Sequence, residues 1–268
     1  MNIYESITER IIGLLEQGVA PWNKPWKVSR GLPRNLVSKK AYRGINTFLL
    51  HACQYESPFW LTFKQAQEAG GHVRKGEKSC PVVFWKQLEI EDEGEEKKIP
   101  FMRFYWLFNV SQVDGLKEVP AVEQQATPAT QILAGYPNAP KLKHGMASAF
   151  YSPSEDEIGM PLPSRFDTEG DYWGTLFHEL THSTGAKSRL DRLTNAQFGS
   201  EQYSREELVA EMGSAFLCGH AGIERQLETN AAYLQSWIKA LKSDPKLIVQ
   251  AAAQAQKATD YILNVKPN

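Results

Sequence analysis

Apolar residues recur at Ile3, Ile7, Ile11, Leu14 and Leu15. That spacing marks one face of a helix, which Gly18 is placed to end. Prolines and a glycine then interrupt the stretch APWNKPWKVSRGLPRN and predict a loop. A helix is expected around Ile45–Gln54, and a short one over Phe63–Ala69 that stops at Gly70-Gly71. Pro81–Lys86 and Met102–Val110 are rich in Val, Phe, Tyr and Trp and predict strands, with the charged EIEDEGEEKKI as an exposed hairpin connection. The segment 117–131 is polar, contains proline, lacks a period and predicts a linker.

Beyond it, a helix or turn is expected near Gln131–Tyr136. Two short strands follow at Ala149–Pro153 and Glu157–Pro161, around a Ser-Glu-Asp turn. Helices are expected at about 170–184, 204–220, 229–243 and 245–264, the last two separated by Asp244-Pro245. The expected fold class is α+β: a small α+β domain over 1–116, a linker over 117–131, and a mostly helical domain with a short sheet over 132–268.

Composition adds limits rather than an identity. Apolar residues make up 42% of the 268 and charged residues 23%, with a net charge of −1, so the chain as a whole is neither polyanion nor polycation. The charge is uneven. Residues 1–88 hold 13 Lys and Arg against 6 Asp and Glu, whereas residues 116–268 hold 14 against 18. Two regions with different partners are implied. The three cysteines, Cys53, Cys80 and Cys218, lack CxxC spacing, so neither a disulfide framework nor a cysteine metal site is expected, and a reducing, cytoplasmic location is. The first residues lack a signal-peptide pattern, and no apolar run approaches the length of a membrane span.

The sharpest chemistry lies in His178-Glu179-Leu180-Thr181-His182. Histidines at i and i+4 stand one helical turn apart and can grip one ion, and the glutamate between them can take a proton from water at that ion. Trp173, Leu176, Phe177 and Leu180 form an apolar stripe on the same helix. At about 100° per residue the two histidines lie roughly opposite it, away from the packing face. A catalytic zinc ion needs a third protein ligand. Residue 188 is Ser where a third histidine would stand in the longer HExxHxxGxxH spacing, and His220 is a distant alternative. Glu207 is the preferred third ligand, and Glu211, one turn further on, the carboxylate that accepts a hydrogen bond from a ligand histidine; Glu211 as the ligand itself stays open. So does a bland alternative, since Ser204-x-x-Glu207 also spells a capping box in which Glu207 only satisfies a backbone N–H.

In the first region, basic residues interleave with aromatic rings: Trp22, Lys24, Trp26, then Lys39, Lys40, Tyr42 and Arg43, then Arg74, Lys75, Lys78, Trp85 and Lys86. Cations that contact phosphates and rings that stack on unpaired bases suit single-stranded nucleic acid. Tryptophans in short strands such as Val82–Trp85 are more often core than base platforms, and a basic balance can be only a solvated surface.

The order APWNKPW, AYRGIN, GGHVRKGEKSCPVVFWK, FNVSQVDGL resembles the N-terminal domain of ArdC-type antirestriction proteins, which also opens TraC-type plasmid primases. YSPSEDEIGMP, HELTHSTG and REELVAEMGSAFL resemble the metallopeptidase domain that follows it in ArdC. The resemblance spans nearly the whole chain. It implies a single-stranded DNA-binding domain, then a zincin-like domain in which His178, His182 and Glu207 hold zinc and Glu179 is the base. It implies protection of incoming plasmid or phage DNA from host restriction; an unknown host protein is the expected peptide substrate, and no membrane partner is expected. Two alternatives remain from the sequence: a DNA-shielding protein with a non-catalytic metal site, and a peptidase that cleaves a regulatory protein. No stretch of these residues resembles the primase region of TraC, so the resemblance does not imply primase activity.

Overall fold

The computed structural model describes residues 2–22, 31–92, 95–121, 126–193, 200–224 and 231–266; among these, the side chains of 86–92, 95–100, 201 and 231–233 are not described. The chain forms two compact units, one of Met1–Ile7 with Leu32–Val122, the other of Thr8–Gly31 with Glu123–Asn268. The opening helix α1 (Ile3–Glu16) runs from the first stretch into the second.

The first unit contains β1 (Arg34–Asn35), α2 (Ile45–His51), β2 (Phe59–Thr62), α3 (Phe63–Glu68), β3 (His72–Val73), β4 (Cys80–Asp92), β5 (Glu95–Asn109) and β6 (Val113–Asp114). Its main sheet has the order β1-β2-β5-β4, and β3 pairs with β6 in a small second sheet. Inside the main sheet β2 is covered on both faces, which is why Phe59, Trp60 and Leu61 are all buried. Leu61 and Phe59 join Leu36, Ala66, Val110 and Val113 in one cluster. Trp60 joins Tyr42, Leu50, Cys80, Val82 and Leu107 in another. Asn46 ties α2 to β4 by using its amide as a strand partner: its Nδ2 donates to the Val83 carbonyl at 2.7 Å and its Oδ1 accepts from the Val83 N–H at 2.8 Å. Thr62 and Gln65 form a reciprocal capping box that starts α3.

Two expectations for this unit are overturned. The charged segment between the predicted strands is no loop connection: β4 and β5 pair in register from Cys80↔Leu107 out to Asp92↔Glu95. Main-chain ladder bonds do not depend on side-chain polarity, so a charged sequence can pair as strands. Cys53 and Cys80 are joined by a disulfide, although none was expected. The fold brings the end of α2 to the start of β4 across 27 residues of sequence, a proximity that spacing does not reveal. With this bond present, the cysteines give no reason to expect a reducing compartment.

The second unit contains α4 (Ala129–Gly135), β7 (Lys141–His144), β8 (Phe150–Ser152), β9 (Glu157–Met160), α5 (Glu169–Ser183), α6 (Glu201–Ala221), α7 (Ala231–Ser243) and α8 (Leu247–Ile262). The three-stranded sheet has the order β7-β9-β8, with β7 parallel and β8 antiparallel to the central β9. The α5 stripe packs as expected: Trp173, Leu176, Phe177 and Leu180 bury against Ile132, Ile158, Met160, Leu217 and Ile262. Central α6 is buried on several sides through Leu208, Val209, Met212, Ala215 and Phe216. Its Gly213 lies so close to Thr181 of α5 that a β-carbon there would collide with that side chain. Ser214 Oγ donates to the Gly174 carbonyl at 2.7 Å, a second tie between the helices. This close approach sets the first half of α6 against the last two turns of α5.

The predicted boundaries shift. Residues 8–31 belong with the second unit rather than with the first domain. Trp22 packs edge-on against Trp237 with ring centroids 5.4 Å apart, and Thr8 Oγ1 donates to the Pro245 carbonyl at 2.7 Å. The end of the predicted linker is ordered too, because α4 starts at Ala129 and buries Ile132. Among the described residues, no helix is long and apolar enough to cross a membrane.

Candidate metal centre

Two turns of α5 and one face of α6 converge on a small polar cluster. His178 and His182, one turn apart, turn their Nε2 atoms toward each other at 3.0 Å. Glu207 reaches both: Oε2 lies 3.5 Å from His178 Nε2 and Oε1 lies 3.5 Å from His182 Nε2. Among the described residues these three side chains are the one group of His, Cys, Asp or Glu whose ligand atoms lie close enough to share an ion, all within 4.8 Å of one another. The donor set fits a divalent metal. Two zinc–nitrogen bonds of about 2.0–2.1 Å at a tetrahedral angle set their nitrogens roughly 3.3 Å apart, close to the observed 3.0 Å.

Each histidine also meets a carboxylate at its other nitrogen. Glu206 Oε1 accepts from His182 Nδ1 at 3.2 Å, and Glu211 Oε1 stands 3.6 Å from His178 Nδ1. Arg192 holds Glu206 with a two-pronged grip: Nε donates to Oε2 and Nη2 to Oε1, each at 2.8 Å. The same guanidinium donates to the Thr181 carbonyl at 2.9 Å and to Thr184 Oγ1 at 3.1 Å, at the end of α5. Gly185 permits this return of the chain, since a β-carbon there would meet Leu193 Cγ at 2.7 Å and Arg192 Nη2 at 3.1 Å.

The electrostatics match a cation site. Desolvation alone would lower the His182 imidazole, but Glu206 and Glu207 outweigh it and push it up to about 10. Desolvation would raise Glu207, yet His178 and His182 hold it far below the usual carboxylate range. Arg192 and His182 likewise hold Glu206 down against its burial. Buried carboxylates in this number require a partner of opposite charge.

The cluster opens into a cavity of about 900 Å³, lined by His178, Glu179, His182 and Glu207 on one wall, Phe150 and Tyr151 of β8 on another, and Leu247, Ala251 and Gln254 of α8 on a third. Glu179 is 8% exposed and faces this cavity next to His178. The capping-box alternative for Glu207 falls away. The N-cap of α6 is Ser200, whose side chain accepts from the Tyr203 N–H, and Ser204 lies inside the helix with its Oγ 2.9 Å from Ser236 Oγ. His220 sits in the last turn of α6, outside the cluster. Glu206 and Arg192 escaped the sequence reading. The Glu206-Glu207 doublet was visible, but only the crossing of α5 and α6 determines that its first member meets His182.

The residues expected to contact DNA fall into different environments. Trp22 is 1% exposed and belongs to the core of the second unit, so a base platform there is excluded. Lys24 and Trp26 fall outside the described residues, as does the side chain of Lys86. Arg74 is spoken for: it bonds Glu77 at 2.6 Å, Asp114 at 3.2 Å and the Ser111 carbonyl at 2.7 Å. Lys39, Lys40, Arg43, Lys75 and Lys78 are exposed, Lys39 with its ammonium 5.6 Å from the Phe59 ring. Two exposed rings lie on the β4–β5 sheet: Trp85, expected among the basic residues, is 56% exposed, and Trp106, which those clusters did not single out, is 55% exposed and stacks on Phe104 at 5.9 Å.

Residues 1–108 match the family described as the N-terminal domain of anti-restriction factor ArdC, and residues 134–254 the zincin-like metallopeptidase family. The crystal structure of the antirestriction protein ArdC from plasmid R388 is 38% identical, with a TM-score of 0.85 over 100% of both chains in its metal-free form. Its Mn(II)-bound form aligns with a TM-score of 0.83 over 98% of both. A protein of Sinorhizobium fredii named only as uncharacterized protein y4eC is 35% identical over 97% of this chain and 91% of its own length. Two Escherichia coli proteins named DNA primase TraC are 39% and 37% identical over 97% of this chain, which spans only 27% and 20% of their length.

Proposed function

Because the chain belongs to the ArdC family of antirestriction proteins, we propose that it binds single-stranded DNA through its first unit and hydrolyses peptide bonds at a divalent metal held by His178, His182 and Glu207 in its second. The observation that carries the second half is the convergence of two ring nitrogens and one carboxylate beside Glu179, at the wall of a cavity of about 900 Å³. A purely structural ion would need no glutamate at position 179. The R388 relative binds Mn(II), and the donor set here, two imidazoles with a carboxylate, accepts zinc equally well.

When bound, the ion supplies a Lewis acid that polarises the scissile carbonyl and acidifies water. The protein supplies the rest. Glu179 takes the proton of the attacking water and returns it to the leaving nitrogen, a step that typically contributes about 10²–10⁴ in rate. β8 is the edge strand of its sheet, and its Phe150 and Tyr151 line the cavity. An extended peptide adds alongside it through main-chain bonds, which brings its carbonyl to the cluster.

In the first unit, the exposed Lys39, Lys40, Arg43, Lys75 and Lys78 attract phosphates, and the exposed rings of Trp106 and Trp85 offer stacking surfaces for unpaired bases. Incoming single strands and a nearby host protein are the partners. The TraC relatives extend far beyond the matched region, and primase activity is not proposed.

The test is cleavage of a peptide library followed by mass spectrometry, with Mn(II) or Zn(II), with and without an oligonucleotide. Metal-dependent cleavage that disappears in Glu179→Gln supports the reading. Full protection of transferred DNA by Glu179→Gln in a conjugation assay would favour DNA shielding over peptide hydrolysis.

A further inference from the structure

Glu206 and Glu207 are consecutive on α6, yet they meet His182 at opposite nitrogens: Glu206 Oε1 at Nδ1, 3.2 Å away, and Glu207 Oε1 at Nε2, 3.5 Å away. Two successive helical positions diverge by about 100°, and the imidazole edge lies in the angle between them. The roles follow from the donors present. Arg192 can only donate, and it occupies both Glu206 oxygens. A carboxylate held that way is an acceptor, so the hydrogen at the His182 contact belongs to Nδ1. That leaves the Nε2 lone pair for the ion.

From this geometry we infer that Glu206 and Arg192 form a positioning pair for the metal centre: Glu206 fixes the His182 ring and its tautomer, and Arg192 aims Glu206. The inference rests on the metal reading above and deepens it. Arg192 has a second task in the same grip. It bonds the Thr181 carbonyl and Thr184 Oγ1 at the end of α5. The chain just beyond that helix, the end of α5 and the first half of α6 therefore meet at one guanidinium. A lysine could keep the charge but not the fork, because only guanidinium presents two parallel donors to a carboxylate. Glu211 is no substitute, since it stands at the other histidine, 3.6 Å from His178 Nδ1.

The experiment is Mn(II) and Zn(II) titration calorimetry on the metal-free protein, comparing wild type with Glu206→Gln, Arg192→Lys and the double variant. Glutamine can give its carbonyl oxygen to Arg192 only by turning its NH₂ toward His182 Nδ1, which favours the wrong tautomer. Glu206→Gln is expected to weaken metal binding by about 10–100-fold, the usual loss for a partner behind a ligand. Arg192→Lys should weaken it by less. The double variant should be no worse than Glu206→Gln alone, because the two act along one path. A merely structural role would lower the melting temperature of the metal-free protein and leave the affinity of the folded fraction unchanged. That result, or losses that simply add, would overturn the inference. If Glu206→Gln does not fold, Arg192→Lys decides, and an affinity within twofold of wild type counts against the pair. Wild-type protein that binds neither metal would instead defeat the underlying reading of the site, which keeps the two failures apart.

Discussion

The Nε2 atoms of His178 and His182 face each other across 3.0 Å, one helical turn apart on α5. Left to themselves, two histidine side chains on a helix point outward and move independently. Here Glu207 spans both ring nitrogens from α6, and Glu206 and Glu211 stand at the outer nitrogens. The approach of α6 at Gly213 and Thr181 turns a sequence spacing into a site.

Glu207 and Glu211 should separate cleanly. Glu207→Gln removes a charged ligand atom from between the histidines and is expected to weaken Mn(II) or Zn(II) binding by more than about 100-fold. Glu211→Gln, acting behind His178, should cost about 10–100-fold. Calorimetric titration of the two variants in one buffer checks the order, and equal losses would contradict it.

Asp156 predicts an acid dependence of stability. Its carboxylate receives both Arg189 prongs at 2.8 Å and the Tyr151 hydroxyl at 2.8 Å. The Arg189 bonds, helped by Tyr151, hold it below the usual aspartate range against desolvation. A lowered folded value means that the stabilisation is present above the ordinary aspartate range, near 4, and is lost as pH falls through the lowered value. Asp156→Asn keeps a residue suited to the left-handed backbone at φ 48°. Its melting temperature should lie a few degrees below wild type near neutral pH, and the gap should close in acid. A gap that persists unchanged to low pH would count against the ion pair.

Trp22→Ala tests the reassignment of that residue from DNA contact to core. Emptying its site against Trp237 is expected to cost about 3–5 kcal/mol of stability, measured by denaturant unfolding, while oligonucleotide affinity of the folded protein stays at the wild-type value.

Trp106→Ala tests the alternative surface. Loss of one stacking ring should weaken single-stranded oligonucleotide binding by about 1–3 kcal/mol, read by fluorescence anisotropy. The melting temperature should barely move, since the ring is largely exposed. Unaltered affinity would move the DNA surface elsewhere.

How much of this was legible in the sequence follows from which interactions are local. The α5 stripe and the histidine pair obey helical periodicity, so the helix and two of the proposed ligands could be read directly. Glu207 was readable as a candidate, but its rival role as a cap fell only when Ser200 proved to be the N-cap. The Glu206–Arg192 grip, the Cys53–Cys80 disulfide and the Trp22–Trp237 contact join residues far apart in sequence, and no local pattern encodes them. Asn46 and Arg74 lie in the stretches that resemble ArdC, yet their side chains here serve the fold, one pairing with Val83 and the other bridging Glu77 and Asp114. Motif membership therefore did not separate contacts with DNA from contacts within the domain.

The most direct measurement is a crystal structure of the protein grown with Mn(II), with anomalous scattering recorded to locate the ion. A single strong peak bonded to His178 Nε2, His182 Nε2 and a Glu207 oxygen, with Glu179 beside an open coordination position, is the predicted result. A peak held by other residues, or none at saturating metal, would contradict the account.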